Sequence, residues 1–225
     1  MNGHAFEFAG TRLVAQGSGA LWWPEQRLLC VSDLHLGKSE RMARRGGAML
    51  PPYEVRDTLA RLERDIEAAD PARVVCLGDS FDDVAAAGAL EDAALDWIAR
   101  LQAGRNWVWI VGNHDPAPVA LGGALVETYE DGPLTFRHIA APAAQGEVSG
   151  HYHPKAALSL RGRQVTRRCF LHDASRLIMP AYGTYTGGLR WTDPVFGELL
   201  PGPGRAILTG QRAHAVPLPR SVATG

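Results

Sequence analysis

Acidic, histidine and asparagine side chains recur directly after short apolar runs of this chain. Five such segments read Asp-x-His at 33–35, Gly-Asp at 78–79, Gly-Asn-His-Asp at 112–115, His138, and Gly-His-x-His at 150–153. Ligands of open α/β sheets collect at the carboxyl ends of strands. Each segment alone has an ordinary explanation, such as a turn or a capping aspartate. Their combination in one chain predicts a single shared site.

The donor types in this set define the chemistry that the site can perform. Carboxylate, imidazole and amide oxygen suit Mn²⁺, Fe or Zn²⁺, because no thiolate is among them. One tetrahedral zinc ion needs only four ligands, so a larger set indicates two ions. Two ions about 3.5–4 Å apart, sharing a carboxylate, are used to cleave phosphoesters. The candidate ligands are Asp33, His35, Asp79, Asn113, His138, His151 and His153.

The elements that must position these residues follow an alternating pattern in the first half of the chain. Apolar runs at 27–31, 73–77 and 106–111 predict strands that are buried on both faces. Between them, segments 52–68 and 89–103 place apolar residues at three- and four-residue steps, which predicts helices. This order predicts an α/β fold with a mostly parallel sheet and right-handed crossovers.

The second half of the chain has a different pattern, in which short apolar segments are separated by Gly and Pro. It predicts a second, more antiparallel sheet packed on the first, with helices on the outside. We expect one domain over residues 1–217 and a flexible tail over 218–225. The predicted strands lie at 125–126, 134–136, 147–149, 157–160, 169–171, 177–179 and 206–208.

Composition limits the classes of protein to which the chain can belong. It has 225 residues, 46% of them hydrophobic, and a formal net charge of −1. No apolar run reaches the roughly 18 residues of a membrane span. The start lacks a basic segment followed by an apolar one, so we expect no signal peptide and a cytoplasmic location. Three widely spaced cysteines (30, 76 and 169) indicate a reducing compartment.

The near-zero net charge argues against a generic nucleic-acid coat, which is normally basic. Two divalent ions would nevertheless add four positive charges where a phosphate must sit. Bound ions are often the largest local charges in a site. The net charge of the chain therefore does not exclude a nucleic-acid substrate.

The order of the five segments resembles the calcineurin-like metallophosphoesterase superfamily. The resemblance implies a two-sheet sandwich of αββα layers with a dinuclear site at strand ends. It implies a hydroxide between the ions as the nucleophile, and His114 as a donor to the phosphate or leaving oxygen. Asp115 either orients His114 or is only its neighbour. The implied ligands are Asp33, His35, Asp79 and His153 for one ion, and Asp79, Asn113, His138 and His151 for the other.

A narrower resemblance is to the ligase-associated (PdeM-like) metallophosphoesterases, which are encoded in bacteria beside a DNA ligase, a helicase and an exonuclease. The segments that carry it lie at 32–38, 50–52, 77–81, 150–154 and 180–189. It implies a manganese-dependent nuclease for single-stranded DNA in DNA repair. We expect it to cut internally, as an endonuclease, and the donor types also allow iron or zinc. Two departures concern the substrate pocket: Asp82 stands where a histidine is expected, and Ile139-Ala140 stand where Glu-Pro is common.

Basic and aromatic residues beside the motifs are candidates for substrate contact. Tyr152 either stacks on a base or packs internally. The arginines at 161, 163, 167 and 168 indicate the exposed side of a hairpin. A basic loop that follows Asp-x-His either contacts backbone phosphates or is simply solvated. Its residues are Lys38, Arg41, Arg44 and Arg45.

Other functions are compatible with the same ligand set. A phosphomonoesterase, a cyclic-nucleotide phosphodiesterase or a nucleotide-lipid pyrophosphatase would use a similar site, although the last usually has an arginine where His114 stands. A non-catalytic scaffold would have lost ligands, whereas the full set is present here.

Overall fold

Two β-sheets lie face to face, and helices cover the outer face of each. The computed structural model describes residues 2–44, 46, 51, 53–114, 121–160 and 162–219. One apolar cluster lies between the sheets, a second between the first sheet and its helices, and a third between the second sheet and a helix. This arrangement confirms the predicted α/β sandwich of αββα layers.

The first sheet has its strands in chain order. The pairs from β1 to β4 are antiparallel, and those from β4 to β7 are parallel. Its strands are β1 (His4–Phe8), β2 (Thr11–Ala15), β3 (Leu21–Trp23), β4 (Leu28–Val31), β5 (Arg73–Leu77), β6 (Asn106–Ile110) and β7 (Ala124–Val126).

Helices connect the parallel strands of this sheet. They are α1 (Lys38–Arg44), α2 (Glu54–Ala69), α3 (Val84–Gly88) and α4 (Asp92–Gln102). In α2, Leu59, Leu62 and Ile66 are buried, which confirms the predicted apolar stripe. The segment predicted as one helix over 89–103 is α4 alone, because α3 is a separate helix that ends at Gly88.

The second sheet runs in the order β15–β14–β12–β13–β10–β9–β8, and β11 pairs with β12 outside this path. Strand β10 is parallel to both neighbours, so the sheet is less antiparallel than predicted. Helix α5 (Pro194–Leu199) packs on its outer face. The strands are β8 (Thr128–Asp131), β9 (Leu134–Arg137), β10 (Glu147–Ser149), β11 (Lys155–Leu160), β12 (Arg163–His172), β13 (Arg176–Ile178), β14 (Arg205–Leu208) and β15 (His214–Pro217).

Strand register brings the polar segments to common edges. Val31 pairs with Cys76 and Leu77 with Ile110, so β4, β5 and β6 end side by side. In the second sheet Ser149 pairs with Arg137, so residues 138 and 150 also emerge together. Each sheet therefore presents its candidate ligands from adjacent strand ends.

Two predictions about elements are wrong. Strand β7, predicted in the second sheet, pairs with β6 of the first, and the predicted basic loop is helix α1 from Lys38 onward. Within the described ranges, no helix has both the length and the apolarity to span a bilayer. The three cysteines are buried and are not joined by disulfide bonds. The division into a domain and a tail stays a prediction, since residues 220–225 lie outside the described part.

Candidate metal centre

The first cluster of candidate ligands joins Asp33 and His35, which follow β4, to His153 of the second sheet. One donor atom from each lies within 4.8 Å of the others. The Oδ1 atom of Asp33 is 3.0 Å from Nε2 of His153, and its Oδ2 accepts hydrogen bonds from the Ser32 hydroxyl and the His151 backbone N–H. Burial raises the pKa of Asp33, but the hydrogen bond and charge of His153, the charge of His138 and the Ser32 hydroxyl outweigh burial and lower it.

The second cluster joins Asp79, which follows β5, to His138 and His151, again within 4.8 Å. The Nε2 atom of His138 is 3.4 Å from Asp79 Oδ2, 3.3 Å from His151 Nδ1 and 2.8 Å from Asn113 Oδ1. On the opposite side of the ring, Nδ1 lies 2.9 Å from the Leu77 carbonyl oxygen. A proton on Nδ1 therefore leaves Nε2 facing the cluster, as expected of a metal-binding histidine.

Asp79 of the second cluster also faces the first cluster. Its Oδ2 atom is 3.9 Å from His35 Nε2 of the first cluster and 3.4 Å from His138 of the second. Burial raises its pKa, but His138 and the backbone N–H of His114 outweigh burial and lower it to about 2. A carboxylate in this position is suited to contact both of two neighbouring cations.

The donor chemistry of the site fits divalent metal ions. Nε2 of His35 is buried and has no hydrogen-bond partner among the described residues. Such a nitrogen costs free energy unless a ligand satisfies it. Burial lowers the pKa of His138, yet the carboxylates of Asp79 and Asp33 raise it to about 9. The clustered carboxylates thus attract positive charge, which ions would supply.

Glycines allow the strand ends to approach closely. A Cβ atom on Gly150 would lie 1.9 Å from the Ser32 hydroxyl oxygen, and one on Gly78, which has φ +70°, would lie 2.6 Å from the His138 ring. Any larger residue at either position would separate segments that must meet to form the clusters.

Several candidate ligands have left-handed backbone conformations, which are uncommon for residues other than glycine. Such conformations cost on the order of 1–3 kcal/mol each and persist where the surroundings enforce them. The two histidines of the Gly-His-x-His segment thus occupy left-handed positions and enter different clusters. The residues and φ angles are Asp33 (53°), His35 (46°), Asp79 (45°), His151 (69°) and His153 (47°).

Asp82 belongs to the surroundings of the first cluster. It is fully buried, and its Oδ1 lies 2.9 Å from His35 Nδ1. Its carboxylate also contacts Lys38 and Arg41 of α1. Burial raises its pKa, but His35 and the two cations outweigh burial and lower it to about 2. The sequence marked Asp82 as a departure from relatives but gave no sign of this contact.

His114 lies next to the clusters without entering either of them. Its backbone N–H donates to Asp79 Oδ1 at 2.9 Å, and its Nδ1 is 3.2 Å from the Asp82 carbonyl oxygen. Its ring stands edge-on to His35, with the centroids 5.5 Å apart. Asp115, predicted either to orient His114 or to be only its neighbour, lies outside the described residues.

The predicted substrate-contact residues have other partners in the structure. Lys38 pairs with Asp82, and Arg44 pairs with Glu40 and Asp83, both at 3.0 Å. Tyr152 packs edge-on against His151, at 5.1 Å, and against Phe196 of α5. Arg45 lies outside the described residues. Phosphate contact by Lys38 or Arg44 must compete with these carboxylates, and stacking by Tyr152 stays a prediction.

A sandwich of two sheets with clustered carboxylates and imidazoles at the strand ends is the arrangement of a metallophosphoesterase. Residues 26–169 match the family model described as calcineurin-like phosphoesterase, and the chain belongs to this family. The family usually binds a dinuclear divalent metal site, and this protein is a metal-dependent phosphoesterase.

A solved structure extends the likeness over nearly the whole chain. The nuclease MPE of Pseudomonas putida is 28% identical, with a TM-score of 0.73. The similarity covers 96% of this chain and 100% of that one. No curated protein matches the chain.

Proposed function

We propose that this protein is a manganese-dependent endonuclease that hydrolyses single-stranded DNA in bacterial DNA repair, as the ligase-associated (PdeM-like) resemblance implies. The observation that carries the proposal is the pair of adjacent donor clusters, with Asp79 of the second cluster facing the first. The likeness to a nuclease over 96% of the chain supports a phosphodiester in nucleic acid as the substrate.

In this proposal Asp33, His35 and His153 hold one ion, and Asn113, His138 and His151 hold the other, with Asp79 bridging them. Such ions supply Lewis-acid stabilisation of a phosphoryl oxygen and a nucleophile at neutral pH. His114 contributes a proton or hydrogen bond to the leaving oxygen. Iron or zinc would also suit these donors.

The proposal extends to the setting of the enzyme. We infer a single domain over 1–217 in the cytoplasm, and a functional association with a DNA ligase, a helicase and an exonuclease. Lys38, Arg44, Arg45 and Tyr152 remain proposed contacts for the substrate.

The proposal is tested by a matrix of metals and substrates on the purified, metal-free protein. Mn²⁺, Fe²⁺, Zn²⁺ and Mg²⁺ are each combined with single-stranded DNA, p-nitrophenyl phosphate, bis-p-nitrophenyl phosphate, a cyclic nucleotide and a nucleotide-linked lipid. We expect internal cleavage of DNA with Mn²⁺, and hydrolysis of the diester well above that of the monoester. A preference for the monoester, the cyclic nucleotide or the lipid would replace the nuclease with that activity.

Variants of the clusters link this activity to the proposed site. Asp79→Asn and His151→Ala should each lower kcat/KM about a thousandfold, because several kcal/mol of metal-dependent barrier lowering are lost. His214→Ala, which changes an exposed histidine of β15, is the matched control and should behave like the wild type. Full activity in either cluster variant would disprove the assignment.

A further inference from the structure

A cleft of about 850 Å³ opens between the flank of α2, the turn that joins β2 to β3, and the middle of β12. Four arginines contribute to its lining, whereas Asp65 is the one carboxylate among the described lining residues. Asp65 accepts a hydrogen bond from the buried Tyr182 hydroxyl at 2.8 Å. The cleft therefore has an excess of positive charge. The arginines are Arg61, Arg64, Arg167 and Arg168.

Arg61 and Arg168 form part of the wall of the cleft. Arg168 donates to the carbonyl oxygens of Ala181, Tyr182 and Gly183 at 2.8–3.2 Å. Arg61 donates to the Tyr182 carbonyl and pairs with Asp57 at 2.6 Å. The predicted exposure of the hairpin arginines is thus wrong for Arg168. Burial, and then the charge of Arg61, lowers the pKa of Arg168 to about 10, so Arg168 remains cationic at neutral pH.

The other two arginines, Arg64 and Arg167, are exposed to solvent. Neither Arg64 nor Arg167 forms an ion pair with any carboxylate in the described part of the chain. Arg167 donates only to the adjacent Thr166 carbonyl, at 3.3 Å. The charge of Arg64 acts on Asp57 and Asp65, but no carboxylate of the described residues is within ion-pair distance of it. Guanidinium groups that face a cleft outside such pairs are suited to bind phosphate groups.

The wall of the cleft is also attached to the candidate metal centre. The backbone N–H of Tyr182 donates to the Ser32 carbonyl at 2.7 Å, and that of Gly183 donates to the Asp33 carbonyl at 3.1 Å. Asp33 belongs to the first cluster. The loop 181–184 thus lines the cleft at Thr184 and is hydrogen-bonded to the backbone that carries Asp33.

We propose that this arginine cleft binds backbone phosphates of a single-stranded nucleic acid whose scissile phosphodiester lies at the metal centre. The proposal rests on the proposed nuclease function. Arg64 and Arg167 contact the phosphates, while Arg61 and Arg168 fix the wall. Grooves of this kind bind single strands through backbone charge with little regard to sequence.

The test compares an Arg64→Gln/Arg167→Gln double variant with the wild type. Binding of a fluorescent 20-nucleotide single strand is measured by anisotropy in EDTA over a series of salt concentrations. Each lost phosphate contact lowers the salt slope of log K by about 0.7, so the slope should fall by about 1.4 and affinity by roughly tenfold. With Mn²⁺, the ratio of kcat/KM for DNA to that for bis-p-nitrophenyl phosphate should fall similarly.

Two further variants separate charge from structure. Arg64→Lys/Arg167→Lys retains the charges and should restore most of the salt slope. Arg100→Gln, an exposed arginine on α4 outside the cleft, should bind DNA like the wild type. If the Gln double variant keeps the wild-type affinity and slope while the wild type cleaves DNA, the cleft proposal alone is wrong. If the wild type hydrolyses the aryl diester but neither binds nor cleaves DNA, both proposals are wrong.

Discussion

At the scale of single residues, the hydrogen bonds of His114 hold it beside the candidate metal centre. Its Nδ1 atom lies 3.2 Å from the Asp82 carbonyl oxygen, which can only accept a hydrogen bond. Nδ1 must therefore carry a proton to make this contact, and Nε2 can give a proton to the leaving oxygen only when the ring is protonated on both nitrogens. The backbone N–H of the same residue donates to Asp79. The position of the imidazole is thus fixed against the proposed bridging carboxylate.

We expect His114→Ala to slow cleavage of DNA by roughly 10²–10⁴-fold, the usual contribution of general acid–base catalysis. Hydrolysis of bis-p-nitrophenyl phosphate should fall much less, because p-nitrophenolate needs little protonation to leave. Steady-state kcat/KM for both substrates checks the difference, and His114→Gln tests whether a neutral donor suffices. Equal losses on the two substrates would exclude the acid role.

The candidate ligands could be predicted from the sequence because metal donors are few in type and here follow apolar runs. The structure brings Asp33, His35 and His153 together, and likewise Asp79, His138 and His151. The left-handed conformations of these residues could not be predicted, since tertiary contacts enforce them. The contact of Asp82 with His35 also could not be predicted, because the two residues are 47 positions apart and only the fold brings them together.

At the scale of elements, local pattern predicted most of the strands, although not β8 or β15, and not always which strand each would join. Strand β7 has only three residues, and nothing in its local sequence indicates that it pairs in parallel with β6. Helix α1 was mistaken for a loop because its basic residues gave no apolar stripe. Its Lys38 and Arg41 contact Asp82, so a distant carboxylate holds this helix against the site.

Asp82 thereby couples α1 to the first cluster, and Asp82→Asn tests that coupling. The change removes the charged partner of His35 Nδ1 and of both cations. Loss of such a partner typically weakens metal affinity 10–100-fold, and we expect a weakening in that range. Calorimetric titration of the metal-free protein with Mn²⁺ measures the affinity directly, without any assay of activity.

The neighbouring residue supplies the control for this variant. Asp83 pairs with Arg44 and caps α3 through Ala86, but it contacts none of the candidate ligands in the described structure. Asp83→Asn keeps a capping side chain and should bind Mn²⁺ like the wild type. Equal Mn²⁺ affinity of Asp82→Asn and the wild type would show that Asp82 only anchors α1.

At the scale of the whole molecule, the candidate ligands come from both sheets. Asp33, His35 and Asp79 follow strands of the first sheet, whereas His138 follows β9 and His151 and His153 follow β10 of the second. Each cluster contains members from both sheets. Bound ions would therefore connect the two halves of the sandwich at the edge where the strands end.

This arrangement predicts that metal binding stabilises the entire fold. An ion that binds only the folded state at 100 times its Kd adds about 2.7 kcal/mol, so two ions add roughly 5 kcal/mol. For a chain of this length, each kcal/mol raises Tm by about 2–4 °C, so we expect a rise of at least 10 °C when Mn²⁺ is added to chelated protein. Calorimetric scans check this value. The Asp79→Asn protein should lose most of the rise, and His214→Ala should retain it. An identical Tm with EDTA and with saturating Mn²⁺ would mean that the clusters do not hold ions across the two sheets.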